Sequence, residues 1–308
     1  MTNLRFPFLC LPNDLCSKIL KTMDPHEIII YSLLSKKACS MVKDLCLPIS
    51  SVQIKMEKRP VIVFHFSSTS IIVRLKVQKE SNDQKTRLDD DFVRFYVNES
   101  TSLFREDLPI YWWEHGKSLG EWIQRLCSIS HNKTPYDVEF NLAEVDLGVG
   151  ILESCREVQY LRNIFPKIRN ITITYFRKFH PQEEPNEQDY LSVQNVVRAF
   201  LANAEKLTLN RVPVGGNLSL QHIGMTNLKQ LELYHQRNLR VDDLFTFNVE
   251  ICLVAFHGIT FRDLNRFFKL WMKGSDPKLK ELIVCGIFAE IKIENFVETT
   301  RLAFSVFE

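Results

Sequence analysis

Apolar residues recur at helical spacing along the first fifty positions and at every second position from about residue 50 onward. The chain therefore changes structural period once, early. After Leu11-Pro12-Asn13, apolar side chains fall at Leu15, Cys16, Ile19, Leu20 and Met23, which is the spacing of one helix face. Asp24-Pro25-His26-Glu27 comes next. Asp24 suits an N-cap, Pro25 suits the first helical position, and Glu27 can reach back to the cap nitrogen. A second helix carrying Ile28, Ile29, Ile30, Leu33 and Leu34 is predicted behind it. Ser35 suits the cap of a third, with Ala38, Met41, Val42 and Leu45 on one face, and Pro48 cannot continue it. Residues 11–46 thus read as three short helices. A unit this small supports only a marginal core. Its apolar positions, with Phe6, Phe8 and Leu9 in front, exceed what it can hide. One face must be covered by the rest of the chain or by a partner, and periodicity leaves both open.

Beyond residue 50 the alternation predicts strands: Val52–Met56, Val61–Phe66, Ile71–Val77 and Phe92–Val97, arranged as hairpins with a long polar loop at 79–90. Ser118–Ser130 returns to helical spacing with Leu119, Trp122, Ile123, Leu126 and Cys127. Val138 and Phe140 suit a short strand, and Ile151–Ile164 a helix. Then one shape recurs, Leu-x-x-Leu-x-Leu or a close variant. It begins at Ile168, Ala204, Leu228, Val249 and Leu279, with starts 36, 24, 21 and 30 residues apart. Helical segments, notably Tyr190–Leu201 and Phe261–Lys273, lie between. Strand–helix units of this kind stack and bury a shared core. The reading is a degenerate, leucine-rich-repeat-like α/β array, against the plainer alternative of an ordinary α/β domain with short apolar strands.

Composition adds bounds. The chain has 308 residues, 45% of them hydrophobic, with 22 Phe, 8 Tyr and 4 Trp. That is enough apolar surface for a sizeable core. The net charge is only +2, too small a field to recruit nucleic acid or an anionic membrane. All of that excess falls within residues 1–50, in step with the change of period. The longest apolar run, Ile251–Phe256, has six residues, against about 20 for a membrane-spanning helix. The proline-broken stretch 6–12 does not suit a signal peptide. The eight cysteines include no Cys-x-x-Cys pair. A reduced cytoplasmic or nuclear protein, without a disulfide framework, is expected.

The N-terminal pattern resembles an F-box. The resemblance rests on Leu11-Pro12, Ile19-Leu20, Asp24-Pro25-His26-Glu27-Ile28 and Leu34-Ser35-Lys36. It implies that residues 6–47 bind the Skp-type adaptor of a cullin–RING ubiquitin ligase. It places Leu11, Pro12, Leu15, Ile19, Leu20, Pro25, Ile28 and Leu34 at or near that interface. Many F-boxes carry a Trp early in the third helix where this chain has Ala38. Aromatic anchors often dominate interfaces, so a scaffold whose F-box no longer engages a ligase stays open as the alternative. Further on, Phe261-Arg-Asp-Leu-Asn-Arg-Phe-Phe-Lys-Leu-Trp271 running into Gly274-Ser-Asp-Pro277 resembles the type 2 F-box-associated domain, expanded in nematodes. Leu264, Phe267, Phe268 and Trp271 suit one buried helix face, and Gly274 suits a C-cap ahead of Pro277.

No chemistry is legible. There is no His-Glu-x-x-His, Gly-x-Ser-x-Gly or P-loop, and Gly148-x-Gly150 lacks the rest of a dinucleotide fingerprint. Cys127 and His131 on one helix turn do not close a tetrahedral metal site. No cofactor and no metal are expected. The acidic stretch 181–189, with Glu183, Glu184, Glu187 and Asp189 and no base, is a candidate target-binding loop for basic partners. The expectation is a non-catalytic substrate receptor in two parts: an adaptor-binding F-box over 6–47, and a target-recognition region over 51–308, mainly strands to 115 and alternating helix and strand from 116. Its partners are the adaptor, through it a cullin, and an unknown target protein, with no nucleic acid and no membrane.

Overall fold

The computed structural model describes residues 11–57, 60–75, 92–99, 110–113, 119–130, 136–142, 162–163, 165, 168–175, 185, 187–214, 218–236, 239–255, 260–273, 278–285, 290–296 and 299–305. The chain divides into two compact units. One comprises residues 1–54 and 59–135, the other 55–58 and 136–308. The expected loop at 79–90 lies outside the described residues. So does most of the expected helix at 151–164, of which 162 and 163 are described and helical.

The first unit opens with α1 (Asn13–Leu20), α2 (Pro25–Leu33) and α3 (Lys36–Asp44). The local signals act as read. The Glu27 carboxylate accepts from the Asp24 amide at 3.0 Å, and Ser35 Oγ accepts from the Ala38 amide at 3.0 Å. Five strands follow: β1 (Ser51–Met56), β2 (Val61–His65), β3 (Thr69–Leu75), β4 (Phe92–Glu99) and β5 (Ile110–Trp113). β2 to β5 pair antiparallel in chain order. α4 (Leu119–Cys127) buries Trp122, Ile123 and Leu126. The three N-terminal helices are therefore part of a larger compact unit that continues well past residue 50.

The second unit is built on β6 (Tyr136–Asn141), β7 (Ile168–Thr174), β8 (Lys206–Asn210), β9 (Gln230–Tyr234), β10 (Ile251–Ala255) and β11 (Glu281–Cys285). These six lie side by side in chain order, all parallel. The recurring motif sets their register. Val138, Ile171, Leu207, Leu231, Cys252 and Leu282 form one continuous rung. Phe140, Ile173, Leu209, Leu233, Val254 and Val284 form the next. Every one of these side chains is buried. Parallel neighbours need a crossover of a dozen or more residues, and the motif spacing provides it with α5 (Glu187–Phe200), α6 (Leu220–Gly224), α7 (Val241–Leu244) and α8 (Phe261–Trp271). The helices meet the rungs through aromatic contacts: Phe140 stacks on Phe200 of α5 at 6.0 Å. Within the helix layer, Phe245 stacks on Phe267 of α8 at 4.9 Å.

The array ends differently from the expected alternation. β12 (Glu290–Phe296) and β13 (Thr299–Ser305) pair antiparallel onto β11. Only residues 286–289 and 297–298 connect them, too few for a parallel crossover.

The strand entries carry a second regularity. The residue after the first motif position is in turn Arg169, Glu205, Lys229, Glu250 and Lys280, alternating in sign. Glu205 takes Arg169 at 3.2 Å and Lys229 at 3.1 Å, and Glu250 takes Lys280 at 2.7 Å. These lysines and the arginine hold both carboxyls below the ordinary glutamate range. The charges are exposed and worth little as stabilisation; their alternation favours the observed order of neighbours.

Candidate functional site

The apolar stripe of α1 is split in two. Cys16 and Leu20 point inward and are 1% and 0% exposed. Leu15 and Ile19, one helical turn apart on the adjacent line, are 46% and 38% exposed. Leu34, the C-cap of α2, is 51% exposed. Among the described residues of the first unit, these three are its exposed large hydrophobic side chains. Pro12 is exposed beside them, and Leu11 and Pro25 are half-buried.

Two residues expected at or near the interface are buried. Leu20 and Ile28 are 0% and 4% exposed, spent on the core that α3 closes over α1 and α2 with Ala38 and Val42. Of the residues expected at or near the interface, Pro12, Leu15, Ile19 and Leu34 are exposed, and Leu11 and Pro25 are half-buried. Ala38 is wholly buried.

The end of α2, which carries Leu34, is held from far away in sequence. Arg125 of α4 donates from Nη2 to the Leu33 carbonyl at 2.6 Å and the Ser32 carbonyl at 3.3 Å. A helix C-terminus has orphan carbonyls and a negative dipole end, and a guanidinium answers both. Arg162 treats α5 alike, donating to the carbonyls of Ala199 at 2.9 Å and Arg198 at 3.2 Å. Neither role has a local sequence signal.

Of the acidic stretch 181–189, residues 187–189 form the first turn of α5. Glu183 and Glu184 lie outside the described residues. Glu187 is exposed in the first turn of α5. Asp189 is 4% exposed and accepts from the Tyr175 hydroxyl at 2.8 Å. That hydrogen bond ties α5 to the residue that follows β7.

Burial pushes the Cys127 thiol up to about 12, away from the thiolate that a nucleophile or metal ligand needs. The described cysteines, 16, 39, 46, 127, 252 and 285, are not in disulfides. Among the described residues no three His, Cys, Asp or Glu side chains gather as a metal site, and none of the helices is long and apolar enough to cross a membrane.

On the sheet, side chains opposite the rungs face away from the helices. There Glu232 accepts from Thr208 Oγ1 at 2.9 Å and Gln230 Nε2 at 2.7 Å, and pairs with Lys206 at 2.6 Å. Burial first, then the Glu232 carboxylate, raises the Tyr234 hydroxyl above its ordinary value. Burial likewise raises the Asp137 carboxyl.

Comparison with known families matches residues 8–50 to the F-box domain and residues 219–284 to the F-box associated family. The first match covers α1 to α3. The second runs from Ser219, the N-cap of α6, to Val284 on β11, and so takes in the last three strands of the parallel array. No curated protein and no solved structure is significantly similar to the chain. With its N-terminal helices matched to one family and the end of its parallel array to the other, the two matches together support an F-box protein with an F-box-associated domain of type 2.

Proposed function

We propose that this chain is the substrate-receptor subunit of an SCF-type cullin–RING ubiquitin ligase. α1 and the end of α2 dock a Skp-type adaptor, which links the chain to a cullin, and the second unit holds a target protein. One observation carries the reading. In the segment matched as an F-box, half of the apolar stripe of α1 is left on the surface at Leu15 and Ile19, with Leu34 exposed as well. A helical unit that exposes aligned leucine and isoleucine has an apolar partner surface to meet. The chain performs no chemistry in this reading. It raises the effective concentration of target lysines near a ubiquitin-charged enzyme held elsewhere in the complex, in the cytoplasm or the nucleus. The parallel strand–helix steps are read as a degenerate leucine-rich-repeat-like array. The shared rungs support that reading, and the uneven spacing is what makes it degenerate.

Binding of the purified full chain to a Skp-type adaptor tests the proposal by calorimetry. The wild type should bind, and Leu15→Asp with Ile19→Asp should weaken binding at least about tenfold while leaving thermal unfolding unchanged, since both side chains are already on the surface. A wild type that binds no adaptor, or a variant that binds it equally, refutes the ligase role and leaves a scaffold with a degenerate F-box.

A further inference from the structure

The outer face of α8 carries a row of charges of one sign. Arg262, Arg266, Lys269 and Lys273 are all exposed. Their spacing puts them on one line of the helix, the last just beyond the C-cap Met272. The line is about 16 Å long. The opposite side of α8 is buried at Leu264, Phe267 and Trp271, so the core does not call for the row. The strand entries of the same unit are arranged otherwise. There Glu205 and Glu250 sit among Arg169, Lys229 and Lys280, and both carboxylates are paired. Around α8 the carboxylates are few and mostly engaged. Asp242 of α7 meets Arg266 at 3.6 Å, with the two side chains 68% and 66% exposed. Asp263 lies beside Arg262 and Arg266, but its Oδ2 accepts from the Thr260 amide at 3.1 Å and the Thr260 hydroxyl at 2.6 Å to cap the helix. Asp243 accepts from the Arg240 amide at 2.9 Å and from Gln221 Nε2 at 3.0 Å. Among the described residues, Arg262, Lys269 and Lys273 form no hydrogen bond through their side chains and no ion pair.

Helix stability does not account for the row. Lys269 and Lys273 lie toward the C-terminal end, where the helix dipole favours cations. Arg262 lies in the first turn, where the dipole disfavours them. Arg262 with Arg266, and Lys269 with Lys273, are like charges four residues apart, an arrangement that destabilises a helix. Four like charges held against these costs suit a partner that neutralises them. The chemistry of that partner follows from the rest of the chain. A net charge of +2 gives none of the broad positive field that draws nucleic acid, and a single row on the outside of a helix is not the basic groove with aromatic platforms that holds a strand. A second copy offers no matching row, since no described helix holds more than two acidic residues. A run of carboxylates on another protein fits, because Arg forks and Lys ammonium groups both take carboxylates in charge-assisted hydrogen bonds.

We propose that the outer face of α8 docks an acidic segment of the target protein, whose Asp and Glu carboxylates pair with Arg262, Arg266, Lys269 and Lys273. Arg266 exchanges its exposed contact with Asp242 for a carboxylate of the segment. The proposal rests on the reading of the second unit as the target-binding part. It names the surface and the chemistry of that part.

Fluorescence anisotropy with the purified full chain tests it, using a labelled Glu-rich peptide, the same peptide with Gln in place of Glu, and a single-stranded DNA of equal charge. The Glu peptide should bind, less tightly as salt rises, and the Gln peptide should not. Replacing the row (Arg262→Gln, Arg266→Gln, Lys269→Gln and Lys273→Gln) should weaken Glu-peptide binding at least about tenfold. A matched control, Lys18→Gln, Lys21→Gln, Lys36→Gln and Lys37→Gln, removes the same charge from the first unit and should leave peptide binding unchanged. Gln is a good helix former, so the α8 variant should melt no lower than wild type. If it fails to fold, Lys269→Gln with Lys273→Gln replaces it and must weaken binding at least about threefold. Equal loss in the two fourfold variants means attraction by net charge alone and overturns the proposal. Equal binding of the Gln peptide, no binding of the Glu peptide, or tighter binding of the DNA than of the Glu peptide also overturns it. So does a concentration-dependent dimer that the α8 variant dissociates, because the face is then taken by a second copy. Adaptor binding measured on the wild type separates the two readings. Adaptor binding without Glu-peptide binding sinks the docking face alone; Glu-peptide binding without adaptor binding sinks the ligase role alone.

Discussion

Replacing Arg125 with Met keeps most of the side-chain volume and removes the guanidinium that closes α2. The structure sets the size of the loss. Nη2 gives two hydrogen bonds, at 2.6 Å to the Leu33 carbonyl and 3.3 Å to the Ser32 carbonyl, and both acceptor residues are buried, at 2% and 0% exposure. A hydrogen bond to a charged group is worth about 1.5–3 kcal/mol, and a cation at a helix C-terminus adds up to about 2 kcal/mol when partly buried. These overlap, since the same atoms make both, and the longer bond contributes little. A destabilisation of about 2–3 kcal/mol is expected for Arg125→Met. At about 2–4 °C per kcal/mol for a unit of this size, the first unit should melt roughly 4–12 °C lower. Arg125→Lys keeps the charge but not the planar fork, so about half the loss should return. Hydrogen exchange locates the effect: amides in the last turn of α2 should exchange faster, while those of β7 to β9 stay unchanged. Because Leu34 caps that turn, adaptor binding should weaken as well. A Met variant within about 0.5 kcal/mol of wild type, with α2 exchange unaltered, would refute the claim that this contact holds the helix end.

Two further outcomes are expected. A Cβ at Gly224 would run into the Phe247 ring, so Gly224→Ala should destabilise the second unit by about 1–3 kcal/mol, read from urea unfolding; a neutral or stabilised variant removes the reasoning. Lys280, then Lys278 and Lys229, hold the half-buried Glu250 carboxyl below the ordinary glutamate value of about 4.3. A carboxyl depressed in the folded state contributes stability above its unfolded value that is lost as pH falls through the folded one. The acid side of the stability profile should therefore flatten in Lys280→Met, and a carbon-detected NMR titration should show Glu250 moving back up toward the ordinary value. An unmoved titration shows that the alternating charges do not couple.

Much of the fold was legible because its causes are local. Asp24-Pro25-x-Glu27 starts α2 and Ser35 starts α3 through hydrogen bonds that span three residues. The five motif segments announced β7 to β11, since alternation within a strand is a property of neighbouring positions. The site was legible only in outline. Sequence spacing placed Leu15, Cys16, Ile19 and Leu20 on one stripe, and nothing along the chain says which edge of that stripe turns inward. The seating of α3 on α1 and α2 made that choice, burying Leu20 and Ile28 and leaving Leu15 and Ile19 on the surface. The burial of Asp189 was hidden for the same reason. Its partner Tyr175 is not on its own helix but at the exit of the strand before it.

The sequence by itself determined α1 to α3, the strands β7 to β11 in their order and the early change from helical to strand period, because each follows from side-chain periodicity and from caps a few residues long. Only the tertiary structure decided which apolar positions become core and which become surface. It also decided that Arg125 and Arg162 close helices they are not part of. Those outcomes depend on which distant segments meet, and burial is a property of the assembled layers that no single stretch of chain contains.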